Sequence, residues 1–393
     1  MMETSAGGPL LIVGGGIGGC AAALALARRG FEVTVLEQSA ELKEIGAGIQ
    51  LGPNAFRVFD ALDLREAIER VVVYPDGLVM MDALSGEEVT RIGLGQPFLE
   101  RFKQPYGVIY RADLHQVLVD ACRAEPAIRL LTGQKLVDFE DDGRRVRVTT
   151  EAGATHVGAA LIGADGLWSR IREKVVGDGK PHVSGHIAYR AVLPAAEVPS
   201  HLRFNDMTLW AGPKLHLVQY PLRRGELFNL VAVFHSDRYE EGWDTYGDPA
   251  ELHQRFSAAC EPVQQLLSKI ETWRMWVLCD REPVSDWSQG RVTLLGDAAH
   301  PMLQYMAQGA CMAMEDAMVL AQRADQHRAD LAQAFLAYQA DRSVRTCRVQ
   351  LTARLYGAAY HAEGPVRELR NQFLRSRTPE QSRESLAWLY DPI

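Results

Sequence analysis

A histidine and a tyrosine share one short run, Leu215-His216-Leu217-Val218-Gln219-Tyr220. Its residue types favour a strand, and strand alternation puts His216, Val218 and Tyr220 on one face. An imidazole takes up a proton near neutral pH and a phenol donates a hydrogen bond. The pair therefore suits a pocket wall that receives a phenolic acid. The plain alternative is a histidine satisfied inside a core.

A second signal opens the chain. Gly14-Gly15-Gly16-Ile17-Gly18-Gly19 fits G-x-G-x-x-G at Gly14, Gly16 and Gly19. The first glycine permits a tight turn, the second lets backbone approach a pyrophosphate, and the third lets helix pack on strand. Free N–H groups at the helix start, Ile17 among the first residues, then face the phosphates. Glu37 closes the next apolar run, where a carboxylate accepts hydrogen bonds from ribose hydroxyls. The alternative is a glycine turn that binds nothing, and the motif alone does not separate NAD from FAD.

The elements around these residues read as strand 10–13, an alanine-rich helix 20–29 stopped by Gly30, and strand 31–36. Arg111 starts an amphipathic helix carrying Leu114, Val117 and Leu118. Strand 159–163 runs into Asp165-Gly166, and strand 291–295 runs into Gly296-Asp297 with His300-Pro301; a long helix follows from about Gly309. Asp165 and Asp297 both lie past strand C-termini, where open α/β sheets bind ligands. A helix cap is the commoner duty for a single aspartate.

The bulk numbers set limits. The 393 residues exceed one ordinary domain. A net charge of −8 gives no electrostatic pull on nucleic acid. The six scattered cysteines form no C-x-x-C, so reduced thiols in a cytoplasmic protein are expected, with no metal site. Residues 9–27 are apolar enough to imitate a membrane span, but residues 1–8 lack the positive start of a leader and five glycines interrupt the run. No transmembrane segment is expected.

Taken together, these segments resemble the flavoprotein aromatic hydroxylases, the family that includes para-hydroxybenzoate hydroxylase. The likeness spans the whole chain. It implies an α/β fold: a Rossmann-like FAD-binding domain of that type with an inserted, mostly β substrate domain and C-terminal helices. The expected division is 1–182 for the first part of the FAD-binding domain, with an excursion to the substrate sheet around 70–105. The substrate domain follows at 183–281, and the rest of the FAD-binding domain with the C-terminal helices at 282–393. Residues 386–393 dock on the domain or on a second copy, as in a homodimer. FAD is held non-covalently by the glycine turn, Arg111 and Asp297, and the Asp165 segment also serves a transient NADH or NADPH. No second G-x-G-x-x-G exists, in keeping with a family that has no separate nicotinamide domain.

One departure stands out. Ala307 replaces a family glycine and Cys311 an asparagine. Alanine follows the same backbone with φ negative, so a negative φ is expected at Ala307. Backbone N–H groups at Gly309 and Ala310 then face the flavin pyrimidine. The stretch 302–312 most resembles the 3-hydroxybenzoate 6-hydroxylases, which make gentisate, and in these a matching histidine, tyrosine and glutamine lie beside the substrate. That assigns His216, Tyr220 and Gln304 to catalysis. The implied reaction joins a small aromatic acid, NAD(P)H and O2. Salicylate and a hydroxypyridine carboxylate such as 6-hydroxynicotinate are the alternative substrates. A flavin-binding regulatory protein without hydroxylase turnover is the alternative of another class.

Overall fold

Short apolar runs without polar alternation form strands buried on both faces, and such strands pack in parallel between helices. The computed structural model describes residues 8–42, 47–236 and 245–392. The first seven residues, whose charge argued against a leader, and Ile393 lie outside the described residues. A six-stranded sheet runs in the order Ser288–Gln289, Val292–Leu294, Ala160–Gly163, Leu10–Val13, Val33–Leu36, Ile128–Leu131. All its pairs are parallel except the first. The helix Ile17–Ala27 is buried almost throughout, and its small alanines let it lie between this sheet and the helix Gly309–Gln326.

Two glycines make the entry turn feasible. Gly14 has φ +107°, and a Cβ there would stand 2.2 Å from the Ala164 carbonyl oxygen. A Cβ on Gly19 would stand 1.9 Å from the Gly14 oxygen. No larger residue fits either position.

A second sheet has eight strands, ordered Thr245–Tyr246, Arg274–Asp280, His182–Pro194, Leu227–His235, Leu215–Leu222, Met207–Gly212, Gly77–Asp82, Glu88–Gly93. Two of its edge strands come from residues 77–93, far from the rest in sequence. The hairpin at residues 223–225 turns through three successive positive φ values, 46°, 58° and 84°. Arg223 steadies it by an ion pair to Asp113 at 2.7 Å and by lying 4.8 Å over the Tyr110 ring. The insert is not wholly β. Helices Pro249–Arg255 and Glu261–Leu267 cover the outer face and form a core with Trp210, Phe256 and Trp273.

After residue 330 the chain is helical: Leu331–Tyr360, Gly364–Arg375, Pro379–Glu384 and Ala387–Tyr390. The described tail docks on its own chain. Arg345 donates to the Leu389 oxygen at 2.7 Å, Arg57 donates to the Tyr390 oxygen, and Arg101 pairs with Asp391 at 2.6 Å.

Behind the Gly296 turn lies a buried polar network. Asp316 accepts from Gly296 N at 3.0 Å, meets His300 Nε2 at 2.6 Å and accepts from Arg342 Nε at 2.7 Å. Arg342 and Arg345 also bind Glu315, each at 2.7 Å, and Asn54 bridges Glu315 to Gln308. Burial raises the Asp316 carboxyl, but His300 and Arg342 outweigh it and hold the group down at about 2. A depressed carboxylate stabilises the fold above its unfolded value of about 4 and loses that effect as pH falls towards 2. Asp316→Asn should therefore cost about 3 kcal/mol at neutral pH, since it strands Arg342 with less compensation. Urea unfolding of the FAD-loaded protein measures this; an unchanged midpoint would show that the network adds nothing.

Candidate active site

The two sheets enclose a cavity of about 1340 Å³. This exceeds the usual range of roughly 300–1,000 Å³ for one small ligand and leaves room for a dinucleotide with an aromatic beside it. Every residue assigned from the sequence to catalysis or cofactor binding lines it except Gly19, which serves the packing of the glycine turn.

At the cofactor end, Gly14, Gly16 and Ile17 present the start of the first helix. Glu37 accepts from Gly15 N and Ser39 N, both at 2.8 Å, which fixes its carboxylate at the strand end with lone pairs to spare. Asp297 follows the strand Val292–Leu294 in a one-turn helix. Its side chain is open to the cavity yet sits deep in the molecule. Among the described residues no donor meets its carboxylate. Burial pushes its pKa up, and the nearby charges of His300 and Arg111 oppose this. An acceptor left without partners and aimed into a cavity fits a polyhydroxylated chain. Asp165 is already engaged: it accepts from Ser169 Oγ at 2.6 Å and Arg170 N at 2.9 Å, at the start of helix Arg170–Val175. It caps that helix while lining the cavity. The glycine cradle, Glu37, Arg111 and Asp297 together fit FAD.

Ala307 departs from expectation. Its φ is +52° and its ψ 38°, not negative. It ends the single turn Gln304–Met306 in the left-handed region, where a non-glycine residue costs about 1–2 kcal/mol. The chain accepts this strain, and the first residues of the next helix, Gly309 and Ala310, line the cavity. Cys311 is buried, its thiol pushed up to about 12, and does not line the cavity.

At the other end the alternation of strand Leu215–Leu222 holds. Val218 and Tyr220 join the core on the cavity side, while Leu215 and Leu217 join the core beneath the outer helices. Tyr220 lies against Gly48, where a Cβ would stand 2.5 Å from the phenol oxygen. Burial raises the Tyr220 pKa, so its phenol stays protonated and can donate. His216 Nδ1 lies 2.7 Å from His361 Nε2, and burial lowers the His216 pKa well below the ordinary histidine value. Gln304 Oε1 accepts from Arg190, which leaves the amide nitrogen as the donor end of that side chain.

Arg190 was not legible as a site residue. It stands in the strand His182–Pro194, lies 5.2 Å over the Trp276 ring, and has a buried Nε without a partner. Burial lowers its pKa to about 10, which leaves it cationic at neutral pH. A lone cation inside the apolar run Ile187-Ala188-Tyr189-Arg190-Ala191-Val192 was the available signal. Tyr390 and Leu386 also line the cavity, and nothing local marks them.

Comparison with known proteins agrees with this geometry. The FAD binding domain family matches residues 9–349. The chain is 47% identical over 390 residues to a 3-hydroxybenzoate 6-hydroxylase of Polaromonas naphthalenivorans (strain CJ2), covering 99% of this chain and 97% of that one. It is 45% identical to a protein of the same description from Klebsiella oxytoca, covering 97% and 96%. Among solved structures it is similar to Klebsiella pneumoniae HpxO complexed with FAD and uric acid. The TM-score is 0.86 at 28% identity, covering 98% of this chain and 97% of that one. A salicylate hydroxylase substrate complex gives 0.82 at 25% identity, covering 98% and 95%.

Asp297→Ala tests the cofactor end. Losing charged-acceptor hydrogen bonds costs about 1.5–3 kcal/mol, which corresponds to about a ten- to hundredfold weaker FAD dissociation constant. The FAD-free protein should unfold at the wild-type temperature, because the carboxylate bonds no described donor. Fluorescence titration of FAD reads the first quantity. Wild-type affinity would show that the Asp297 carboxylate does not hold FAD.

Proposed function

Because the chain belongs to the FAD binding domain family and is an FAD-dependent aromatic monooxygenase, we propose that it hydroxylates 3-hydroxybenzoate para to its hydroxyl. The product is gentisate (2,5-dihydroxybenzoate), NADH or NADPH is the electron donor and O2 the oxygen source. The observation that carries this reading is the cavity wall. A proton acceptor, His216, a donor, Tyr220, and a half-buried cation, Arg190, line one space beside the flavin cradle. Relatives described as 3-hydroxybenzoate 6-hydroxylases, at 44–47% identity, support the same substrate.

FAD, when bound, supplies electron transfer and the activation of O2. The chain binds the ring, orients it and manages its proton. A carboxylate on the ring pairs with Arg190 and satisfies the Nε that is otherwise buried unpaired. The phenol hydroxyl meets His216 Nε2. Full transfer from a phenol near ~10 to a histidine near ~6.5 would cost about 5 kcal/mol, and burial of His216 adds to that. A standing imidazolium is therefore disfavoured. Proton loss accompanies ring attack, while Tyr220 and the Gln304 amide donate to the oxygen as its charge grows. Phenolate character activates the para carbon.

The described cysteines are all free, which supports a reducing, cytoplasmic setting. No helix among the described residues is long and apolar enough to cross a membrane. We include a homodimer in the proposal. Val344 and Leu355 on one helix and Val366, Leu369 and Phe373 on the next are exposed, an apolar surface suited to a second copy. Sedimentation should give twice the chain mass; a monomer at micromolar concentration would remove it.

The substrate reading is tested by oxygen uptake and product identification with 3-hydroxybenzoate, salicylate and 6-hydroxynicotinate. The first should stimulate NADH oxidation and yield gentisate. Another product, or stimulation by a different acid alone, overturns the assignment. His216→Ala should still bind substrate and permit flavin reduction, but divert most NADH to hydrogen peroxide. Full coupling in that variant would mean that another group takes the proton.

A further inference from the structure

His216 does not end at itself. Its Nδ1 lies 2.7 Å from His361 Nε2. His361 Nδ1 lies 3.3 Å from His186 Nε2, and His186 Nδ1 lies 2.9 Å from the Tyr305 hydroxyl. The order of atoms is the same at each ring contact, Nδ1 of one to Nε2 of the next. If each ring carries its hydrogen on Nδ1, every contact has one donor and one acceptor. His216 Nε2 is then left as an acceptor towards the cavity. Exposure rises along the row: His216 is buried, His361 nearly so, His186 half-buried, and exposed His235 lies 5.8 Å from the His186 ring.

The scaffold holds this row from three separate elements. His216 is in the strand Leu215–Leu222, His186 in the strand His182–Pro194 of the same sheet, and His361 caps the long helix Leu331–Tyr360. The His361 oxygen accepts from Lys214 N at 3.0 Å, so the helix end is pinned beside the strand. Gly357 leaves space for Tyr305, since a Cβ there would stand 2.6 Å from its ring. The groups facing the row are Tyr305 and Tyr360 beside His216, Tyr305 beside His361, and Tyr305 and His235 beside His186. Asp280 acts on Tyr305, and the Lys214–Glu363 pair flanks the helix end. Among the described residues no carboxylate touches a ring of the row. Burial accordingly lowers the pKa of all three histidines, that of His361 to about 3, and keeps the row neutral.

We propose that His361 and His186 relay the substrate's phenol proton from His216 to solvent. The relay rests on the reading of His216 as the proton acceptor. The phenol O–H breaks as N–H forms at His216 Nε2. The His216 Nδ1–H passes to His361 Nε2, the His361 Nδ1–H passes to His186 Nε2, and the His186 Nδ1–H passes to water beside Tyr305. Each ring ends neutral, with its hydrogen moved to Nε2. Restored aromaticity releases the displaced ring proton, and a proton returning along the row resets it and reprotonates the product hydroxyl. No positive charge has to rest on the buried His216.

The test compares His361→Gln, His186→Gln, His361→Gly and His216→Ala as FAD-loaded proteins with 3-hydroxybenzoate, NADH and O2. Stopped-flow absorbance follows flavin reduction and the later oxygen-dependent steps, and product formed per NADH gives coupling. FAD content and the reduction rate should stay within about twofold of wild type. Hydroxylation should slow about tenfold or more in both glutamine variants, with peroxide rising. Millimolar imidazole should restore part of the rate in His361→Gly. Wild-type hydroxylation in both glutamine variants, with His216→Ala still impaired, overturns the relay and leaves His216 as a lone base. Normal hydroxylation by His216→Ala overturns both. A loss that imidazole does not restore and that follows loss of FAD also overturns the relay.

Discussion

One buried carboxylate fixes the cofactor side of the molecule. Asp316 holds the Gly296 backbone, the His300 ring and the Arg342 guanidinium at once. The strand end that presents Asp297, the His300-Pro301 segment that leads to Gln304, and the long C-terminal helix therefore share one anchor. Removing any one partner leaves charge stranded where water cannot reach, so the three elements keep their relative positions. Arg342 and Arg345 extend the anchor through Glu315 to Asn54, and Arg345 reaches the tail at Leu389. Cofactor cradle and C-terminus are thus tied by charge rather than by apolar packing alone.

The substrate side is organised differently. Its strands are apolar on both faces, and polar groups occur there singly. Arg190 illustrates the balance: a desolvated cation, one amide partner in Gln304, and a buried Nε with no acceptor among the described residues. His216 illustrates it too, since its only side-chain hydrogen-bond partner among the described residues is another histidine. Such groups do little for stability and leave their remaining valences directed at a ligand. The division follows from what each end must hold in an FAD aromatic hydroxylase: a large cofactor at one end and a small aromatic molecule at the other.

Where candidate site residues lie in consecutive stretches, the sequence places them on the elements that carry them. The glycine turn with Glu37, the Asp165 and Asp297 segments and the His216–Tyr220 strand all lie on the elements expected, because turn sterics and strand alternation are local rules. The local rules fail at three kinds of place. Ala307 adopts a left-handed conformation that its residue type disfavours, because the surrounding turn and helix fix the backbone there. Arg190 meets Gln304 across 114 residues and His361 meets His216 across 145, so neither pairing has a spacing to read. The helices Pro249–Arg255 and Glu261–Leu267 were overlooked in a segment judged by its strands; they exist because a sheet apolar on both faces needs a second cover.

The strand order of the parallel sheet also bears on biosynthesis. Val292–Leu294 pairs with Ala160–Gly163, and Ser288–Gln289 closes the edge beyond it. Until residue 294 leaves the ribosome, the 160–163 strand has a bare, fully apolar edge. At a synthesis rate of about 5–20 residues per second, that state lasts on the order of ten seconds. Bare strand edges invite pairing with other chains. The nascent protein is therefore most vulnerable to aggregation while its roof sheet is being made, and the cradle that fits FAD, with Asp297 past that strand, is complete only afterwards. Supplying more FAD during expression would aid retention of finished protein without shortening the dangerous interval.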